Sequence, residues 1–147
     1  MAIEFDAVSK EMQRRVERKK EIADPLYWVE HRLGEFAWSK QAEVLQSVRD
    51  NKRTLVASCH GSGKTHIASR VAGWWLDSYP NDPNETRVIT TAPSWQQVAN
   101  IMWAYIAGVQ KKLDMPGNIT TQAAWTFPGF KAPTAFGRKP ADYDEST

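Results

Sequence analysis

The chain has 147 residues, room for one domain with a real core, and its 41% hydrophobic and 24% charged composition excludes wholesale disorder, collagen and coiled coil. Its net charge of +2, from 19 basic and 17 acidic residues, by itself says nothing about nucleic acid. No apolar run approaches the roughly 20 residues of a spanning helix, residues 1–10 lack the apolar core of a signal peptide, and a lone Cys59 makes no internal disulfide, so a reducing compartment is expected.

Phe5, Val8, Met12 and Val16 recur at helical spacing, with a charged opposite face from Lys10 to Glu21. Glu11, Glu17 and Glu21 stand at pairing distance from Arg14, Arg15 and Arg18, so that face reads as solvated. Asp24-Pro25 opens a short helix over 25–33 that Gly34 ends, and a third helix is expected over 39–50 with Ser39 as N-cap and Ala42, Val44 or Leu45, and Val48 inward. Thr54-Leu55-Val56-Ala57 is short, apolar and partly β-branched, and reads as a buried strand. Residues 64–78 read as a helix with Ile67, Ala68, Val71, Trp74 and Trp75 on its apolar side. A loop over 79–84 and a strand over 87–91 follow. Next comes a helix over 94–113 that turns Val98, Met102, Tyr105 and Val109 inward. From Pro116 the aromatics Trp125, Phe127, Phe130 and Phe136 alternate among glycines and prolines, as in short strands or an irregular hairpin. The order helix, β, α, β, α predicts an α/β fold with parallel strands.

Ser58-Cys59-His60-Gly61-Ser62-Gly63-Lys64-Thr65 lies between a predicted strand and a predicted helix. The phosphate-loop pattern is Gly, four residues, then Gly-Lys-Ser/Thr, and only Ser58 departs from it. Gly61 and Gly63 let backbone N–H groups approach phosphate oxygens with no Cβ in the way. The helix terminus adds its dipole, Lys64 a charge near the outer phosphates, and Thr65 a hydroxyl for Mg²⁺. Lys64 and His60 are the catalytic candidates, and Ser58, Gly61, Ser62, Gly63, Lys64, Thr65 and His66 the nucleotide-binding set. His60 either faces the outermost phosphate or caps the loop, and Cys59 reads as a small, at least half-buried filler.

Four stretches together resemble the N-terminal part of the large terminase subunit of tailed bacteriophages, a DNA-packaging ATPase. They are Leu26-Tyr27-Trp28 with Trp38-Ser39-Lys40-Gln41, the loop itself, Thr90 to Val98, and Phe136 to Pro140 with Asp142 to Glu145. The likeness spans residues 24–147. It implies an incomplete P-loop NTPase (RecA/helicase-like) parallel sheet over 51–147, preceded by a helical segment over 1–50 that carries an adenine-side motif. Gln41 would read adenine through an amide that donates and accepts at once, making ATP with Mg²⁺ the expected ligand. Trp38 would pack beside the base or staple its helix. Thr91 to Gln97 would form a helicase-like motif, or simply a strand end with Ser94 capping the next helix over a core Trp95. Some terminases carry an arginine inside the loop; His60 occupies that neighbourhood here and is a weaker charge stabiliser. The implied partners are double-stranded viral DNA, the portal, the small terminase subunit and further copies of the chain, in the bacterial host cytoplasm and with no membrane.

Hydrolysis also needs an apolar strand ending in Asp-Glu. Asp144-Glu145, the one Asp-Glu pair, follows a polar segment and does not qualify. The chain therefore reads as an N-terminal fragment ending before that Walker B strand and the nuclease domain. Such a fragment binds ATP without turning it over, and with few neighbouring strands it is marginally stable or associates. A helicase-like DNA-dependent ATPase fragment and a non-catalytic nucleotide- or DNA-binding module are the alternatives.

Overall fold

The computed structural model describes residues 2–139, so Asp142 to Glu145 lie outside the described residues. The chain is α/β and divides into two compact units, residues 1–57 and 58–147.

The first unit is helical. Helix α1 (Ala2–Ala23) carries two of the predicted ion pairs on its polar face, Arg15–Glu11 at 3.1 Å and Arg18–Glu21 at 3.2 Å, and a further one, Lys10–Asp6, at 2.8 Å. Its C-terminal part packs on α2 (Pro25–Tyr27), where the Tyr27 hydroxyl donates to Glu17 at 2.9 Å. That bond holds the Tyr27 phenol above its ordinary range, because ionising it would set a second negative charge against the carboxylate. Asp24 caps α2 by accepting from Leu26 N at 2.9 Å, and its other oxygen accepts from Arg49 at 3.2 Å. The helix then widens into a π-helical turn, Trp28–Arg32, that buries Trp28 and Val29. Helix α3 (Ser39–Asp50) has the predicted span, but its N-cap is Trp38 with no side-chain cap bond, so Ser39 is not the cap. Leu45 is its one fully buried side chain; Ala42, Val44 and Val48 are half-buried.

The expected strand at Thr54–Ala57 is not formed. Its backbone is irregular and Leu55 is 95% exposed. The β-branched pattern is there, but an apolar run becomes a buried strand only when a neighbouring ladder takes its N–H and C=O groups. The four strands of the described sheet lie elsewhere.

The second unit is helices on a sheet. Helix α4 (Lys64–Ser78) matches its predicted span, buries Ile67, Ala72, Trp74 and Leu76, and packs against α5 (Trp103–Leu113). Trp75, expected in the core with Trp74, is 38% exposed and tilts against Tyr79 at 4.4 Å. A π-helical turn, Gln97–Met102, leads into α5 within the single helix expected there. Val98 and Val109 face inward as predicted, joined by Trp103 and Ile106, whereas Tyr105 is 42% exposed.

The sheet is mixed rather than all parallel, in the order β1-β4-β3-β2. β1 (Val88–Thr91) pairs parallel to β4 (Ala135–Arg138). β2 (Asn118–Thr120) and β3 (Ala124–Thr126) form the hairpin foreshadowed by the aromatic tail and pair antiparallel, as β3 does with β4. Trp125 on β3 is fully buried, stacks on Phe127 at 5.0 Å and donates to Pro116 O at 3.0 Å. Thr134, also fully buried, ties the sheet to the 79–84 loop by donating to Asn81 O at 2.6 Å.

Gly137 sits on β4 opposite Thr90, where the π-helical turn presses on the sheet. A Cβ there would run into Val98 Cγ1 and would meet Ala123 Cβ at 3.0 Å. Val98 is itself fully buried on a turn packed against β1, β4 and α4, and cannot retreat freely. Gly137→Ala is therefore expected to destabilise the second unit by about 1–3 kcal/mol through overpacking. Urea denaturation followed by circular dichroism checks this, and an unchanged midpoint would show that the contact relaxes without cost.

Candidate functional site

Between Ala57 and α4 the chain makes one loop, and its conformation follows from two glycines. Gly61 (φ +77°) and Gly63 (φ +83°) take left-handed backbone, which costs an L-residue roughly 1–2 kcal/mol. Gly63 is the N-cap of α4, and no side chain caps that terminus. Ile67 N closes the first turn on Gly63 O at 2.9 Å. The preceding N–H groups of an α-helix have no intrahelical acceptor, and they point where an anion would sit.

Lys64, the first residue of α4, folds back over the loop. Its Nζ donates to Ser58 O at 2.7 Å, Cys59 O at 2.6 Å and Ser58 Oγ at 3.0 Å. Ser62 Oγ donates to Cys59 O at 3.0 Å and lies 2.7 Å from Ser58 Oγ. A hydroxyl has one proton. Ser62 gives its own to Cys59, so Ser58 is the donor in the serine–serine bond. The network then runs one way, from Lys64 Nζ to Ser58 Oγ to Ser62 Oγ to Cys59 O, with each bond polarising the next. Ser58, the one departure from the phosphate-loop pattern, is its hub. Ser58→Ala is expected to speed amide hydrogen exchange across residues 59–63 roughly fivefold, the equivalent of about 1 kcal/mol. An unchanged rate would show that Lys64 alone holds the loop.

Two adjoining cavities open beside the loop. One, about 290 Å³, is lined by residues 60–66 with Ile101 and Tyr105. The other, about 390 Å³, runs from His60 and Thr65 to Thr90, Thr91 and Ala92 at the end of β1 and to Gln97 through Met102 on the π-helical turn. Tyr105 stands edge-on to His66 at 5.7 Å, and the Arg70 guanidinium lies 6.0 Å from its ring centre. Thr90 Oγ1 accepts from Trp103 Nε1 at 2.9 Å, and Thr65 is the hydroxyl residue of the loop that lines both cavities.

The structure thus gathers His60, Gly61, Ser62, Gly63, Lys64, Thr65 and His66 around one cavity and brings Thr91, Ala92 and Gln97 to the adjoining one, and Ser58 bonds to the same loop. Ser94 caps the turn after β1, accepting from Gln97 N at 3.3 Å, while Trp95 is 39% exposed rather than core. Cys59 is exposed, so it is not a packing filler: its contribution to the loop is its carbonyl oxygen, which accepts from Ser62 and Lys64. Gln41, half-buried, and Trp38, 44% exposed, belong to the helical unit. Ile101 and Tyr105 line the first cavity, which their sequence does not reveal, because 3-to-4 spacing marks a helix face without saying whether core or cavity lies against it. Among the described residues no group of three or more His, Cys, Asp or Glu is placed to hold a metal, and no helix is long and apolar enough to cross a membrane. No family model, curated protein or solved structure matches the chain.

Proposed function

We propose that residues 58–66 bind the phosphates of Mg-ATP and that the chain is the nucleotide-binding part of a DNA-packaging ATPase of the terminase large-subunit type. The observation that carries the reading is the loop's conformation. Two left-handed glycines and an uncapped helix N-terminus open onto a cavity, and a lysine is stored on the loop's own carbonyls, from which it can swing to phosphate.

The donor set fits the ligand. A triphosphate needs backbone N–H groups and one mobile cation, and Lys64 with the glycine turn offers both. Mg²⁺ demands oxygen ligands and keeps most of its waters, so a single hydroxyl from Thr65 beside the phosphates suffices and a preformed carboxylate cage is not required. The metal would offset the charge of the outer phosphates. His60, at the rim of both cavities, is the residue placed to contact the outermost phosphate. On this reading Gln41 selects adenine, and the Thr91–Gln97 stretch senses the nucleotide or touches DNA. Viral double-stranded DNA, the portal, the small terminase subunit and further copies of the chain are the partners, in the host cytoplasm.

Calorimetric titration of the 147-residue chain with Mg-ATP, with phosphate release followed in parallel, tests the proposal. Binding without turnover is expected, because no apolar strand of this sequence ends in Asp-Glu. A chain shown to be folded by circular dichroism that takes up no Mg-ATP overturns the reading. Turnover would bring Asp144 and Glu145 into question.

A further inference from the structure

Helix α1 leaves its apolar stripe uncovered. Phe5 is 82% exposed, Val8 56%, Met12 65% and Val16 53%, all on one side of the helix. The rest of the first unit does not use this stripe: α1 is held by its C-terminal part, through Glu17 to Tyr27 and through its packing on α2 and the π-helical turn beyond it. Four large apolar side chains in register on an uncovered helix face are a docking surface.

We propose that the occupant is α1 of a second copy of the chain, packed antiparallel. The spacing itself points there. Turning the helix end for end about Lys10 sets Val8 of one copy opposite Met12 of the other and brings Phe5 to within one residue of Val16. The stripe thus maps onto itself under a two-fold axis, as an isologous interface requires. Charge selects the same orientation. The N-terminal half of α1 holds Asp6 and Glu11 against one cation, Lys10, while the C-terminal half holds Arg14, Arg15, Arg18, Lys19 and Lys20 against Glu17 and Glu21. A parallel pair would set two basic ends side by side; an antiparallel pair sets each basic end against an acidic one. A lipid surface is the poorer occupant, since the acids of the N-terminal half would face anionic headgroups. The inference is independent of the nucleotide reading.

Sedimentation equilibrium of the full 147-residue chain is the test. The wild type should show a concentration-dependent monomer–dimer equilibrium. Val8→Glu and Met12→Glu should each weaken it by about tenfold or more, since each puts a charge into the apolar seam. Both positions are more than half exposed in the monomer, so helix content should be retained, and circular dichroism checks that. For orientation, Val8→Cys and Met12→Cys chains are mixed, each in a Cys59→Ser background that removes the one native thiol. Disulfides should join residue 8 to residue 12 in preference to 8 to 8 or 12 to 12. A chain that stays monomeric at all concentrations overturns the proposal, as do dimers indifferent to both glutamates or a preference for like-to-like disulfides. Monomers that bind anionic phospholipid vesicles through the same residues would give the stripe to lipid instead.

Discussion

Lys64→Ala is expected to weaken Mg-ATP binding by about a hundredfold or more, close to 3 kcal/mol, while leaving the fold intact. Lys64 is the one Lys or Arg of the loop, and its ammonium already lies on the loop's own carbonyls. Its nucleotide-free partners are three acceptors of an exposed loop, so losing them costs little stability: those oxygens turn to water. The loss falls almost wholly on the bound state, where no other side chain of residues 58–66 carries a fixed positive charge. Calorimetry on the variant, beside urea denaturation of the same sample, separates the two effects. Equal affinity for wild type and variant would mean that any nucleotide bound sits elsewhere. Lys64→Arg is a useful second arm. A planar guanidinium does not fit three acceptors arranged for a point charge, so it should recover only part of the affinity.

The largest effect on stability is expected at the other end of the same unit. Trp125→Ala should cost about 3–5 kcal/mol. The indole is fully buried, stacked on Phe127 and bonded to Pro116 O, and its strand lies between β2 and β4. Removing it leaves a void that Gly117 cannot fill and an unpaired carbonyl at Pro116. Against a typical total of about 5–15 kcal/mol for a domain, the variant should be partly unfolded near physiological temperature. Trp75→Ala, on the outward side of α4, removes a side chain that is 38% exposed and should cost less than about 1.5 kcal/mol. Denaturation curves for the two, followed by circular dichroism because the indole signal itself is altered, should differ by several kcal/mol. Near-equal midpoints would mean that the hairpin is not part of the cooperative core.

Some of this was legible from residues alone because the determinants are local. The bounds of α3 and α4 follow from 3.6-residue periodicity flanked by breakers, and the second of these helices runs from Lys64 to Ser78 as its pattern requires. The loop is the extreme case. Gly61 and Gly63 set its left-handed turns by their lack of a Cβ, and Lys64 reaches back because it is one residue past the second of them. The charged face of α1 pairs within the helix, as its three- and four-residue spacings require.

What periodicity cannot say is which neighbour an apolar face receives. Thr54–Ala57 has the composition of a buried strand, yet Leu55 is 95% exposed, because strand pairing is a property of two segments and only one was in view. Phe5, Val8, Met12 and Val16 spell a helix, yet the rest of the helical unit leaves their stripe exposed. Tyr105 continues the inward spacing of Val98 and Val109 but lines a cavity. The antiparallel share of the sheet came from the hairpin of the aromatic tail, which pairs with β4, and the close approach of Val98 that makes Gly137 a glycine came from the π-helical turn packed on that strand. By itself the sequence determined most of the helices, the geometry of the glycine loop over 58–65 and the chemistry that loop can offer, since all of these are set by residues within one or two turns of each other. The tertiary structure alone decided strand order, which faces are core and which line the cavities, because burial depends on contacts between segments far apart in the chain.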